Sequence, residues 1–186
     1  MTPIHSELHM KGIVFTEFLE MVEAAHGIDL AYELQELPGL ASGGVFTAIG
    51  TYDVEDFLIM LELLTERLGT SMDDLMKGYG EHLFGRFVVL FPDLFLGKTD
   101  SLAFLASIEQ TIHAEVLKLY PEAELPFFDL AYEGETLVMT YSSKRPMASF
   151  AEGLMDGCLL YFGDNRTFTR EDLDGQDGTR AVFRVR

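Results

Sequence analysis

Cysteine is almost missing from this chain: Cys158 stands alone, which excludes an internal disulfide and any multi-cysteine zinc cluster within one chain. A reducing cytoplasm fits that economy. Basic residues are scarce as well, 13 against 31 acidic ones for a formal net charge of -18, so phosphate backbones and anionic headgroups are repelled at long range and no nucleic-acid partner is expected. Long apolar runs are also lacking. The nearest candidate, Leu37 to Tyr52, is broken by Pro38, Gly39, Gly43, Gly44 and Gly50 and reads as a loop, so no membrane insertion is expected. The opening MTPIHSELHMKGIVF has no basic segment followed by an apolar stretch and a small-residue cleavage site, so it does not read as a secretory signal. Nor is there a GxxxxGK[ST], HExxH or GxSxG pattern, and Cys158 lies beside Gly157, Leu159 and Leu160 with no basic neighbour to activate it, so it is expected to be packed. No enzymatic reading has residues behind it.

What is present suits one globular domain: 186 residues with 48% hydrophobic content. Residues 1–9 have little periodicity and are expected to be an extension, with a single domain from 10 to 186. GIVFTEFLEMVEAAHG places Val14, Phe18, Val22 and Ala25 at helical spacing up to a cap at Gly27. Asp29 to Leu37 reads as a short second helix. Asp53 caps a third, with Phe57, Met60, Leu61 and Leu64 inward and Gly69 at its end. A fourth begins at Ser71, with Asp74 a loose capping-box analogue, and stops near Pro92. Up to Pro121 the pattern is essentially all helix. Beyond it, Phe127–Tyr132 and Thr136–Tyr141 form a hairpin around Glu133-Gly134-Glu135. A helix from Ala148 to Phe162 carries Phe150, Leu154, Cys158 and Tyr161 on one side, followed by strands at Arg166–Arg170 and Thr179–Val185. The acidic stretch from Glu171 to Asp177 fails the EF-hand spacing and reads as a solvated turn. The fold class expected is α+β: a helical N-terminal subdomain joined to a C-terminal subdomain with a four-stranded antiparallel sheet and flanking helices.

Two places attract chemistry. Ser101 to Pro121 reads as one amphipathic helix, with Leu102, Leu105, Ile108, Ile112, Val116, Leu119 and Tyr120 within roughly 120° at about 100° per residue. Glu109 and His113 fall on or beside that apolar face, one turn apart. A satisfied core histidine with a snorkelling glutamate is one reading, and a face lining a cofactor cavity is the other. The second place is Tyr141-x-Ser143-x-Arg145 at a strand end. Alternation points a phenol, a hydroxyl and a guanidinium the same way, as either a polar solvent face or a site for carboxylates.

MKGIVF from Met10, His113-x7-Pro121, Tyr141-x-Ser143-x-Arg145 and AEGLMDG from Ala151 together resemble the H-NOX (heme nitric oxide/oxygen binding) family, over about Met10 to Arg186. The resemblance implies heme b, iron protoporphyrin, held in a pocket between the helical and sheet-containing subdomains. It implies that Tyr141, Ser143 and Arg145 grip the two propionates. His113, seven residues before Tyr120 of the Tyr-Pro pair, is then the proximal iron ligand, and Pro126 presses on the porphyrin. Val14, Phe18, Phe150 and Leu154 are placed in the distal pocket, with Leu83, Phe84 or Phe87 contributing from the fourth helix. Phe150 stands where oxygen-binding relatives keep a tyrosine, which implies preference for nitric oxide. Glu109 is expected chiefly as a partly exposed carboxylate at the helix margin, and the Cys/His zinc site of some relatives is absent from the C-terminus. By the same resemblance the protein is a non-enzymatic sensor acting on a separate histidine kinase or cyclic-dinucleotide enzyme. An alternative is a module of the same fold holding another apolar anion, such as a fatty acid, clamped by Arg145.

Overall fold

The computed structural model describes residues 8–173 and 178–186. The expected extension therefore falls outside the described residues up to position 7, as do 174–177 of the acidic stretch. Contacts divide the chain into two compact units, one reaching to Met72 and the other running from Asp73 to Arg186.

In the first unit, β1 (His9–Lys11) pairs antiparallel with β2 (Thr51–Asp53), with Met10 opposite Tyr52. These strands interrupt the expected all-helical stretch, because three-residue strands are too short to show a period. α1 (Gly12–His26), α2 (Ile28–Gln35) and α3 (Val54–Leu68) complete the unit. Gly12 is required where β1 meets α1: a Cβ there would lie 1.9 Å from the Thr47 carbonyl oxygen. Asp53 caps α3 by accepting the Glu55 amide at 3.0 Å, and Gly69 ends it with φ of 65°. Phe57, Met60, Leu61 and Leu64 are buried as their spacing predicts. On α1 the burial differs from expectation, since Ala25 is exposed and Val14 half-buried while Phe15 is fully buried. Phe15, Phe18 and Val22 form the buried face, and the Phe15 ring is covered by Phe46, stacked at 4.6 Å. Asp56 is also buried, accepting the amides of Ala41 (2.7 Å) and Ser42 (2.9 Å), which fastens the glycine-rich loop.

In the second unit a four-stranded antiparallel sheet has the order β3-β4-β6-β5, formed by β3 (Phe127–Glu133), β4 (Thr136–Ser142), β5 (Phe168–Asp172) and β6 (Arg180–Val185). Leu137, Met139 and Tyr141 of β4 and Phe183 and Val185 of β6 line one face. They share a core with Phe84 of α4 (Met72–Leu90), Phe104 of α5 (Ser101–Leu105) and Met155 and Cys158 of α7 (Ala148–Phe162). Burial pushes the Cys158 thiol well above its ordinary pKa, so it is packed and inert. Between α5 and α6 (Ala114–Leu119) lies a π-helical segment, Ile108–His113. Ser101–Pro121 is thus not one regular helix. Each wider π turn offsets the later positions from a 100° wheel, and Leu119, expected inward, is 60% exposed.

α4 and α7 cross at backbone contact. A Cβ on Gly153 would lie 1.9 Å from the Lys77 carbonyl oxygen, and one on Gly80 would lie 2.3 Å from that of Phe150. This explains the glycines of the Ala151–Gly157 segment, and the Phe150 ring meets Tyr79 of α4 while Leu154 packs against the core that holds Cys158. Ser149, Glu152, Arg170 and Asp172 add a polar seam, Arg170 reaching Ser149 at 2.8 Å and Glu152 at 2.9 Å, while Lys77 reaches Glu152 at 2.6 Å. Gly153→Ala is expected to destabilise the chain by about 1–3 kcal/mol in urea unfolding, because backbone must move to admit the methyl group. Gly78→Ala, on the facing helix α4 with nothing near its would-be Cβ, should instead stabilise by about 0.4–1 kcal/mol. Equal effects of the two would refute close approach as the reason for Gly153. No helix among the described residues is long and apolar enough to cross a membrane.

Candidate functional site

The site in the second unit starts from the π-helical segment. Ile108, Thr111 and Ile112 are β-branched and stiff against the preceding turn, which weakens the preference for regular α geometry. The Ile112 amide reaches back five residues to the Ser107 carbonyl, at 3.3 Å. His113 closes the segment. Its Nδ1 is 2.9 Å from Glu109 Oε1, and the same oxygen accepts the Phe128 amide at 2.9 Å. An ionised carboxylate only accepts, so Nδ1 carries the proton and Nε2 the lone pair. Burial lowers the His113 pKa, outweighing the opposing pull of Glu109, so the imidazole is neutral at neutral pH. The expectation for Glu109 is corrected here: its carboxylate is not a bare marginal charge but joins helix to sheet, because the first residues of β3 bring an amide to it.

Phe128 continues the row. Its ring centroid is 6.1 Å from that of His113 and 5.4 Å from that of Tyr141, its register partner across β3 and β4. Tyr141 is 1% exposed. Its hydroxyl bonds to Ser143, while burial raises its pKa. β4 ends at Ser142, so strand alternation does not carry the whole triplet as the spacing suggested. Instead, Ser143 donates its amide to Thr179 at 2.9 Å, and its Oγ accepts the Arg145 amide at 3.0 Å. That turn folds Arg145 back beside Tyr141. The guanidinium is 7% exposed, burial pulls its pKa down, and its Nη2 donates to the Glu124 carbonyl. It remains a cation with a forked donor set. Pro126, half-buried, thus lies on a segment held by Arg145 at Glu124 and by Glu109 at Phe128.

Of the remaining candidates, Phe150 and Leu154 are half-buried on α7, with the Phe150 ring 5.6 Å from that of Tyr79. Leu83 is fully buried on α4. Phe84 is committed to an aromatic cluster with Phe95 (5.6 Å) and Phe104 (5.5 Å), and half-buried Phe87 meets Phe91 at 5.9 Å. Val14 and Phe18 belong to the first unit, where the Phe18 ring packs 5.1 Å from Phe57. Sequence reasoning missed Phe128, Glu124 and Tyr79. The adjacent Pro126 was the one local signal for Phe128, and Glu124 takes part only through its main chain.

A neutral imidazole with its lone pair on Nε2, and a phenol, a hydroxyl and a buried guanidinium held together one ring away, form a donor set suited to a metal-centred group bearing carboxylates. Heme is one group of that kind, and the fold that presents these donors is of the α+β class. Residues 11–170 match the haem-NO-binding (HNOB) family model, and the chain belongs to that family, the H-NOX proteins. It is similar to the Fe(II) unliganded H-NOX protein from K. algicida, at 38% identity over 95% of each chain with a TM-score of 0.88. It also resembles the IWP-051-bound H-NOX from Shewanella woodyi in the Fe(II)CO state, at 36% identity over 95% of this chain and 93% of that one, TM-score 0.81. The H-NOX protein from S. oneidensis in the Fe(II)NO state matches at 25% identity over 95% and 98%, TM-score 0.86. No curated protein matches the chain. The fold is that of heme-binding gas sensors.

Proposed function

We propose that this protein is a heme-dependent sensor selective for nitric oxide over oxygen, with His113 as the iron ligand and Tyr141, Ser143 and Arg145 as the propionate clamp. The observation that carries the reading is the His113 imidazole, bonded through Nδ1 to Glu109 in the same unit as the buried Arg145 guanidinium. Heme held by these residues would supply an iron able to bind a diatomic gas. Arg145 and Tyr141 offer charge-assisted donors to carboxylates, and Pro126 sits on the segment that Arg145 and Glu109 hold. Phe150, Leu154, Leu83 and Phe87 would supply apolar walls that exclude water. Phe150 has no hydroxyl to donate to oxygen, whereas nitric oxide needs none. Movement of His113 with its helical segment is the signal, read by a separate histidine kinase or cyclic-dinucleotide enzyme, and no chemistry is performed on the gas.

Expression with ample heme should yield a coloured protein with a ferrous Soret band that shifts on anaerobic addition of nitric oxide and not in air. In Phe150→Tyr the added phenol should raise oxygen affinity by roughly 2- to 10-fold, the worth of one hydrogen bond. A parent that stays colourless after reconstitution sinks the proposal. A fatty-acid mass in native spectra of that colourless protein would favour the Arg145-clamped module instead.

A further inference from the structure

Glu109 Oε1 is a junction between two elements of the second unit. It meets His113 Nδ1 and the Phe128 amide, each at 2.9 Å, so one oxygen ties the π-helical segment to the first residues of β3. Both side chains are shielded, at 24% and 16% relative exposure for Glu109 and His113, so water competes weakly for these bonds. Resting on the heme reading above, we infer that Glu109 is a positioning residue: it holds His113 as the Nδ1–H tautomer, aims Nε2, and makes that nitrogen a stronger donor to iron.

The chemistry follows from the acceptor's charge. An imidazole that donates Nδ1–H to a carboxylate gains electron density on the ring, and Nε2 becomes more basic. A stronger axial donor favours the ferric state, so it lowers the reduction potential, and it stiffens the iron–histidine bond. The Phe128 amide matters because it keeps the carboxylate from swinging into solvent as a free i,i+4 partner does. A purely structural role, accepting that amide to join helix to sheet, is met equally by glutamine, whose side-chain carbonyl has the same reach and no charge.

Two variants separate these roles. Glu109→Gln keeps both acceptor contacts and removes the charge, while Glu109→Leu removes the acceptor. In the heme-loaded chain, the ferrous iron–histidine stretch by resonance Raman should fall in frequency, and the reduction potential rise, in both variants. Heme retention should drop by about 10-fold or more in Glu109→Leu. In the heme-free chain, nitrogen NMR of the imidazole should show Nδ1–H in the parent and a shift toward Nε2–H in Glu109→Leu. Parental stretch and potential in Glu109→Gln, whatever Glu109→Leu shows, or a parent imidazole protonated on Nε2, would overturn the inference. A parent that takes up no heme would overturn the function proposed above, while the tautomer comparison in the heme-free chain would still decide whether Glu109 holds His113.

Discussion

His113→Ala is expected to lose the parental ferrous Soret spectrum and to regain it on addition of free imidazole. The substitution removes the Nε2 donor and leaves a cavity, while Tyr141, Ser143 and Arg145 keep their mutual contacts, which do not involve His113. Heme should therefore still enter, but weakly. Free imidazole supplies the same donor without attachment to the π-helical segment. The rescued protein should then bind nitric oxide yet no longer alter a partner's activity, since the attachment is the proposed route of the signal. Loss of the hydrogen bond to Glu109 should cost the heme-free fold only about 1 kcal/mol, because the carboxylate retains the Phe128 amide. A His113→Ala chain with an unchanged spectrum, together with a Glu109→Ala chain that loses it, would make the carboxylate the iron ligand.

Arg145→Ala should release heme to a competing apo-protein at least about tenfold faster than the parent. A charge-assisted contact of this kind is typically worth roughly 1.5–3 kcal/mol, and the shielded position of the guanidinium protects it from screening by salt. Removal has a second effect, because Arg145 also holds the Glu124 carbonyl at one end of the Pro126 segment. Arg145→Lys should fall between the two: the charge persists, but an ammonium does not reproduce the fork that serves a carboxylate and a carbonyl together. Heme loss at the parental rate in Arg145→Ala would show that the clamp lies elsewhere. The tenfold effect without a change in the Soret position would confine the role of Arg145 to retention.

Local periodicity determined much of this protein. Ala148–Phe162 is a helix over the range its pattern marks, and the β3–β4 hairpin turns at Gly134 within a residue of expectation, because both elements are specified by neighbours in the chain. The α+β class was legible for the same reason, while His113, Tyr141, Ser143 and Arg145 were singled out by resemblance to the family's motifs. Only the tertiary structure decided what surrounds them. β1 and β2 form because they find each other across the α1–α2 unit, and Phe15 is buried under Phe46, a residue 31 positions away. The hydrogen bond from the Phe128 amide to Glu109 spans 19 positions, and that from Arg145 to the Glu124 carbonyl spans 21. A helical wheel reads side chains alone at a constant angle. It is blind to a π turn that changes that angle, and to main-chain amides and carbonyls whose availability depends on where another element begins. Sequence therefore carried the motifs, and packing between elements decided which oxygen meets the histidine and which carbonyl meets the arginine.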